Sequence, residues 1–241
     1  MEVRQDKAGH LGVLIVGFNT VIREGLKAIL AKDTRIQFIG DAPDEHRAAQ
    51  LIRRAREQGH PVNVVLTETR NGQIDGVQVT KQIKDKFPDI AVLVLTENPN
   101  DSYVIDAIHA GAGGYIFLNE MTPDTLIQNI LRVVEGETQM TTVLLRTAVD
   151  NLIKNGRRTL AERTTEAAHL TEREVDVLRL MGNGDSNKII AITLGISPDT
   201  TKKHVRNIVE KLQVQNRTHA AITAAQAGIV GKPIANGICQ N

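Results

Sequence analysis

The residues best placed to do chemistry crowd onto one helical face near the C-terminal end of the chain. In "PDTTKKHVRNIVEKL", residues 198–212, Val205, Ile208, Val209 and Leu212 recur at helical spacing as an apolar stripe. Thr200, Lys202, Lys203, Arg206 and Asn207 fall on the opposite side. Cations early in a helix oppose the helix dipole, so helix stability does not select them there. A groove lined with phosphates and guanine edges does. A charged face that merely meets water is the alternative this segment alone leaves open. A second stretch, "VVLTETRNGQIDG" at 64–76, places Glu68 just after an apolar run and before an Asp75-Gly76 turn. A carboxylate can take a phosphoryl group only where cations stand close enough to neutralise the transferred charge.

The chain that must position these groups has 241 residues, enough for two compact domains. With 4 Phe, 2 Tyr and no Trp, its cores must be aliphatic. No apolar stretch approaches the roughly 20 residues that span a bilayer, and "MEVRQDKAGH" lacks the apolar segment of a secretory signal. The one cysteine, Cys239, excludes an internal disulfide framework and a Cys-based zinc site; it reads as a free thiol in the tail, with an intersubunit disulfide as the alternative. A soluble cytoplasmic protein, without membrane, metal or cofactor, is expected. Charge is uneven. Residues 1–150 carry a net −4 and residues 151–241 a net +5, which makes the rear half the candidate for a polyanion partner.

Residues 11–17, 36–40, 62–67, 91–96 and 114–118 are short, continuously apolar runs, as expected of strands buried on both faces of a parallel sheet. Amphipathic segments alternate with them. Val21, Ile22, Leu26, Ile29 and Leu30 mark one helix; Val77, Val79, Thr80, Ile83 and Phe87 mark another. Residues 41–56, 101–110 and 122–134 supply three more, the last with Thr122 as N-cap and Pro123 at the first turn. Strict alternation predicts a doubly wound five-stranded α/β domain over 10–136. After Gly136 the alternation stops. Residues 137–169 read as a linker helix and polar tether, 170–230 as four short helices (172–183, 187–194, 198–213, 217–228), and 231–241 as a tail. Gly184, Gly195 and Gly228 sit where helices end, Ser186 and Ser197 where they begin.

"LTEREVDVLRLMGNGDSNKIIAITLGISPDTTKKHVRNIVEKLQVQNRTHAAITAAQAGIV", residues 170–230, closely resembles the LuxR-type helix-turn-helix, with Thr171 and Glu174 as a capping box. The resemblance implies double-stranded DNA as partner. It places Lys202, Lys203 and Arg206 at base-reading positions, and Thr200, Thr201 and Lys188 at phosphate-contacting ones, with Asn207 on the same face. The last helix, with Ala220, Ala221, Ala224, Ala225 and Ala227, resembles the family's pairing face, so a homodimer would read two half-sites. Ile189 and Ile192 stand where relatives usually carry glutamate; the alternatives are packing on the linker or contact with another protein, such as RNA polymerase or a regulatory partner.

Residues 11–136 resemble a response-regulator receiver domain, through "LIVGFNTVIREGLKAIL", "VLVLT" and "AGAGGYIF". Receiver chemistry uses an acidic pair to hold Mg²⁺, a phosphoacceptor aspartate, a Thr/Ser and a lysine. Those positions read Gly17-Phe18, Glu68, Thr96 and Leu118. Without the cations, and with the carboxylate one methylene too long, phosphoryl transfer to it is not expected. The resemblance therefore implies a degenerate receiver, with Glu68 as a fixed stand-in for the phosphorylated state bonded to Thr96, a pocket holding a small molecule or partner side chain, or a surface glutamate with no role. Tyr103 keeps the family's aromatic position on the fourth helix, on a face that could pair subunits. The leading expectation is a non-enzymatic, dimeric, cytoplasmic transcription regulator, associated with the nucleoid when bound to DNA. The alternatives are a conventional phosphorylated regulator and an adaptor that sequesters a protein.

Overall fold

The computed structural model describes residues 9–69, 75–97, 103–136, 139–140, 170–226 and 229. Of the predicted linker helix and tether at 137–169 all but 139–140 lie outside them, as do Ala227, Gly228 and the tail with Cys239. The chain divides into two compact units, Met1–Ala148 and Val149–Asn241.

The first unit alternates β1 (Leu11–Val16), α1 (Thr20–Leu30), β2 (Ile36–Ala42), α2 (Glu45–Glu57), β3 (Val62–Glu68), α3 (Gly76–Lys86), β4 (Ala91–Thr96), α4 (Tyr103–His109), β5 (Gly114–Phe117) and α5 (Pro123–Val134). The sheet runs β2-β1-β3-β4-β5 in parallel, the doubly wound α/β architecture expected. β1, β3 and β4 are buried almost throughout because both faces are covered, whereas β2 at the edge is largely half-buried. On one face Val13, Ile15, Val64, Leu66, Leu93 and Leu95 pack against Leu26 and Leu30 of α1 and Leu126 and Ile130 of α5. Each such side chain, taken fully from water, contributes about 1.5–3 kcal/mol.

Three local expectations are corrected. Asp41 and Ala42 extend β2 rather than opening a helix; α2 starts later, where the Asp44 carboxylate accepts from the Arg47 N–H at 2.8 Å. Leu118 leaves β5 and opens a single 3-10 turn, Leu118–Glu120. A sixth strand, β6 (Gln139–Met140), pairs in parallel with Gly114 and Tyr115. Two residues of edge pairing need only backbone groups, so no apolar run announced them. Inside the sheet, the β1–β3 register slips between Gly12 and Val13, and the Asn63 side chain accepts the Gly12 N–H at 2.8 Å. A Cβ at Gly12 would stand 2.1 Å from the Pro61 carbonyl oxygen, so only glycine fits.

The second unit is helical: α6 (Glu172–Gly182), α7 (Asn187–Leu194), α8 (Pro198–Lys211) and α9 (Arg217–Gln226). Thr171, Ser186 and Ser197 cap α6, α7 and α8, and Gly195 takes the left-handed conformation (φ 64°) that ends α7. Val177, Leu178, Met181, Ile190, Val205 and Ile208 form the core together with Ala220, Ala221 and Ala224 of α9. This takes Ala220, Ala221 and Ala224 out of the pairing face expected of the last helix. Those three alanines are 0% exposed and are used up inside the unit.

Candidate functional site

α8 carries the predicted cationic face. Val205 and Ile208 point into the core, while Lys202, Lys203 and Arg206 are exposed and Thr200 and Asn207 are half-buried. Arg206 pairs with Glu210 one turn on, at 3.9 Å, a solvent-exposed pair worth a few tenths of a kcal/mol. Thr201 does not belong to this surface. It is 0% exposed and its hydroxyl donates to the Ser197 carbonyl at 3.2 Å, so its predicted phosphate contact through the side chain is withdrawn. On α7, Lys188 is exposed, and Ile189 and Ile192 are 50% and 74% exposed on its outer side.

The two helices of this pair are held at their ends by side chains from helices outside it. Glu174, the capping-box residue of α6, is 3% exposed. Its Oε2 accepts from the Thr171 N–H at 2.9 Å and from Lys211 Nζ, at the end of α8, at 2.7 Å. Burial pushes this carboxyl up, but the Lys211 ammonium and the two Thr171 donors outweigh it and hold Glu174 below the ordinary carboxylate range. Arg173 of α6 donates to the Leu194 carbonyl at the end of α7. Arg217 of α9, 5% exposed, donates to Asn187 Oδ1 and to the Asp185 carbonyl at the start of α7. Burial pushes the Asp185 carboxyl up, and the nearby Arg217 offsets this only in part.

In the first unit, the residues at the carboxyl ends of β1, β3, β4 and β5 also converge. Gly17 and Phe18 both have positive φ (80° and 65°). The left-handed conformation costs a bulky residue roughly 1–2 kcal/mol. It turns the Phe18 N–H toward β3, where it donates to Glu68 Oε1 at 2.6 Å. The Phe18 ring, 5% exposed, joins the core cluster, and Leu118 packs against that same cluster. Thr96, 2% exposed, accepts from the Thr69 hydroxyl at 3.2 Å. Below them Gly76 donates to the Thr69 carbonyl at 2.9 Å, and the Asp75 side chain accepts from the Val77 N–H at 2.9 Å to cap α3. Tyr103 opens α4 and is half-buried. Among the described residues, no group of three or more His, Cys, Asp or Glu side chains could hold a metal ion, and no helix is long and apolar enough to cross a membrane.

The sequence brought Gly17, Phe18, Glu68, Thr96 and Leu118 forward together, and the topology sets them at or just past the carboxyl ends of β1, β3, β4 and β5. It did not single out Thr69, Arg217 or the second role of Glu174. The Thr69–Thr96 pairing depends on strand register. The buried Arg217 left one faint sign, an arginine between Asn216 and Thr218 at the opening of α9.

Residues 13–131 match the response regulator receiver domain model, and residues 168–224 match the model of bacterial regulatory proteins of the luxR family. The transcriptional regulatory protein DegU of Brevibacillus brevis is 33% identical over 94% of this chain and 98% of its own length. The nitrate/nitrite response regulator protein homolog of Haemophilus influenzae is 32% identical over 90% and 96%. Among solved structures, the response regulator ChrA of a haem-sensing two-component system is 25% identical over 92% of this chain and 100% of its own, with a TM-score of 0.47.

Proposed function

The chain belongs to the LuxR-type response regulators, and from that membership we propose that it binds specific DNA sequences to regulate transcription, under a receiver that works without phosphoryl transfer. DNA binding and transcription regulation are the family's shared activity. The α8 face of Lys202, Lys203 and Arg206, with Thr200, Asn207 and Lys188, supplies the contacts: cations to neutralise phosphates, and a guanidinium able to bridge a guanine edge. The domain division that goes with this reading is a receiver at 10–136, a linker at 137–169, a DNA-binding module at 170–230 and a tail at 231–241. A homodimer would present two such modules to two half-sites. With Ala220, Ala221 and Ala224 buried, the receiver face around Tyr103 is the better candidate for pairing.

The observation that carries phosphate independence is the bond from the Phe18 N–H to Glu68. In this reading the Glu68 carboxylate is already engaged by the protein itself, where a phosphoacceptor would face a bound cation. Phe18 and Leu118 put hydrocarbon where a metal and an ammonium would have to stand. Transfer to a carboxylate without those charges loses the main source of transition-state stabilisation. Glu68 then serves as a permanent anion at the sheet's carboxyl end. The rival reading, a conventional phosphorylated regulator, draws on the relatives named as response regulators. Incubation of the full chain with acetyl phosphate and Mg²⁺, read by intact mass, separates the two. No added phosphoryl mass is expected; a gain that disappears in Glu68→Gln would establish the rival. A footprint of the full chain across a salt series tests DNA binding itself.

A further inference from the structure

Resting on the DNA-binding reading, one buried cation has a use that packing does not explain. Arg217 is 5% exposed, and a guanidinium so far from water gains little in stability over an apolar side chain of equal volume. What it supplies is geometry. Its rigid fork of donors fixes two acceptors relative to each other. Here the acceptors are Asn187 Oδ1 and the Asp185 carbonyl, and Asn187 is itself 3% exposed. They flank Ser186, the N-cap of α7, and Lys188 follows them directly, exposed. The Asn187 amide oxygen and the Asp185 carbonyl are neutral acceptors fixed in direction by the fork, while the charge also acts on the nearby Asp185 carboxylate. Arg173 grips the other end of α7 through the Leu194 carbonyl. The helix that carries Lys188 is thus pinned at each end by an arginine from a neighbouring helix.

We propose that Arg217 is a positioning residue for DNA binding: by locking the 185–187 turn it aims Lys188 at the phosphate backbone. It touches no DNA itself; its effect passes through Lys188.

The test is a double-mutant cycle in the full chain with Arg217→Met, Lys188→Ala and the pair, titrated across a salt series. The probes are a duplex carrying a footprinted site and a scrambled duplex of equal length. Each single variant is expected to weaken binding to the site roughly tenfold and to flatten the slope of log K against log salt by about one, the signature of one lost phosphate contact. The pair is expected to be no worse than the weaker single variant, while helix content by circular dichroism stays unchanged. A pair that loses the product of the two single losses, or an Arg217→Met chain with an unaltered salt slope, overturns the proposal. If Arg217→Met loses helix content, Arg217→Lys carries the same cycle, since an ammonium keeps the charge but cannot span both acceptors; additivity there overturns the proposal equally. A wild-type chain that does not prefer the site over the scrambled duplex fails the DNA-binding reading. A wild-type preference with an additive cycle fails Arg217 alone.

Discussion

Shortening Glu68 to aspartate separates a built-in anion from a misplaced phosphoacceptor. The carboxylate of Glu68 sits 2.6 Å from the Phe18 nitrogen. Removing one methylene withdraws it by about 1.5 Å, to roughly 4 Å, beyond hydrogen-bond range. A backbone N–H bonded to a carboxylate is worth about 1.5–3 kcal/mol. Glu68 is half-buried, and water replaces part of that loss, which leaves an expected cost of about 1–2 kcal/mol. For a unit of this size that corresponds to a fall of roughly 3–8 °C in Tm. Glu68→Gln keeps the length and an acceptor oxygen and is expected to cost less, about 0.5–1 kcal/mol. The chain provides its own reporter. It has no Trp, and both of its tyrosines, Tyr103 and Tyr115, lie in the first unit, with Tyr115 1% exposed. Tyrosine near-ultraviolet dichroism therefore follows the unfolding of that unit alone. Glu68→Asp should also remain unmodified by acetyl phosphate and Mg²⁺, because restoring the aspartate restores neither the metal ligands nor the lysine. A Glu68→Asp chain as stable as wild type, or one that takes up a phosphoryl group, would refute the reasoning.

Further predictions concern two glycines and one buried carboxylate. A Cβ at Gly76 would lie 2.0 Å from the Glu68 carbonyl oxygen, whereas one at Gly25 would meet nothing within 4 Å. Gly76→Ala should therefore destabilise the first unit by about 3 kcal/mol or more, and Gly25→Ala should stabilise it by roughly 0.5–1 kcal/mol, both read in the same tyrosine melt. Glu174 is held below its ordinary value of 4.5, so folding favours its ionised form. Its contribution is in full force above that value and is lost as pH falls through the lower folded value. Glu174→Gln should cost about 1–3 kcal/mol at neutral pH, and the gap to wild type should close below the carboxylate range in far-ultraviolet melts; a gap that widens in acid contradicts the assigned ion pair with Lys211.

Period and punctuation in the sequence were enough for the architecture. Continuous apolar runs alternating with helical stripes can satisfy both faces of a parallel sheet in only a few ways, and Thr122, Ser186, Ser197 and Gly195 mark helix ends by chemistry local to a few residues. Residue type at matched positions also singled out Gly17, Phe18, Glu68 and Leu118 as departures from the receiver pattern, on which the proposed reading rests. What the linear pattern could not carry was direction and burial. A row of alanines looks the same whether it meets another subunit or its own core, and only the packing of α9 decided for the core. Thr201 differs from Thr200 only in which side of α8 it faces, and that side is buried. The bond between Phe18 and Glu68 joins residues 50 positions apart through a positive φ, and the Arg217 fork spans 30. Side-chain reach over such separations is set by the tertiary arrangement of strands and helices, a quantity to which no local period is sensitive.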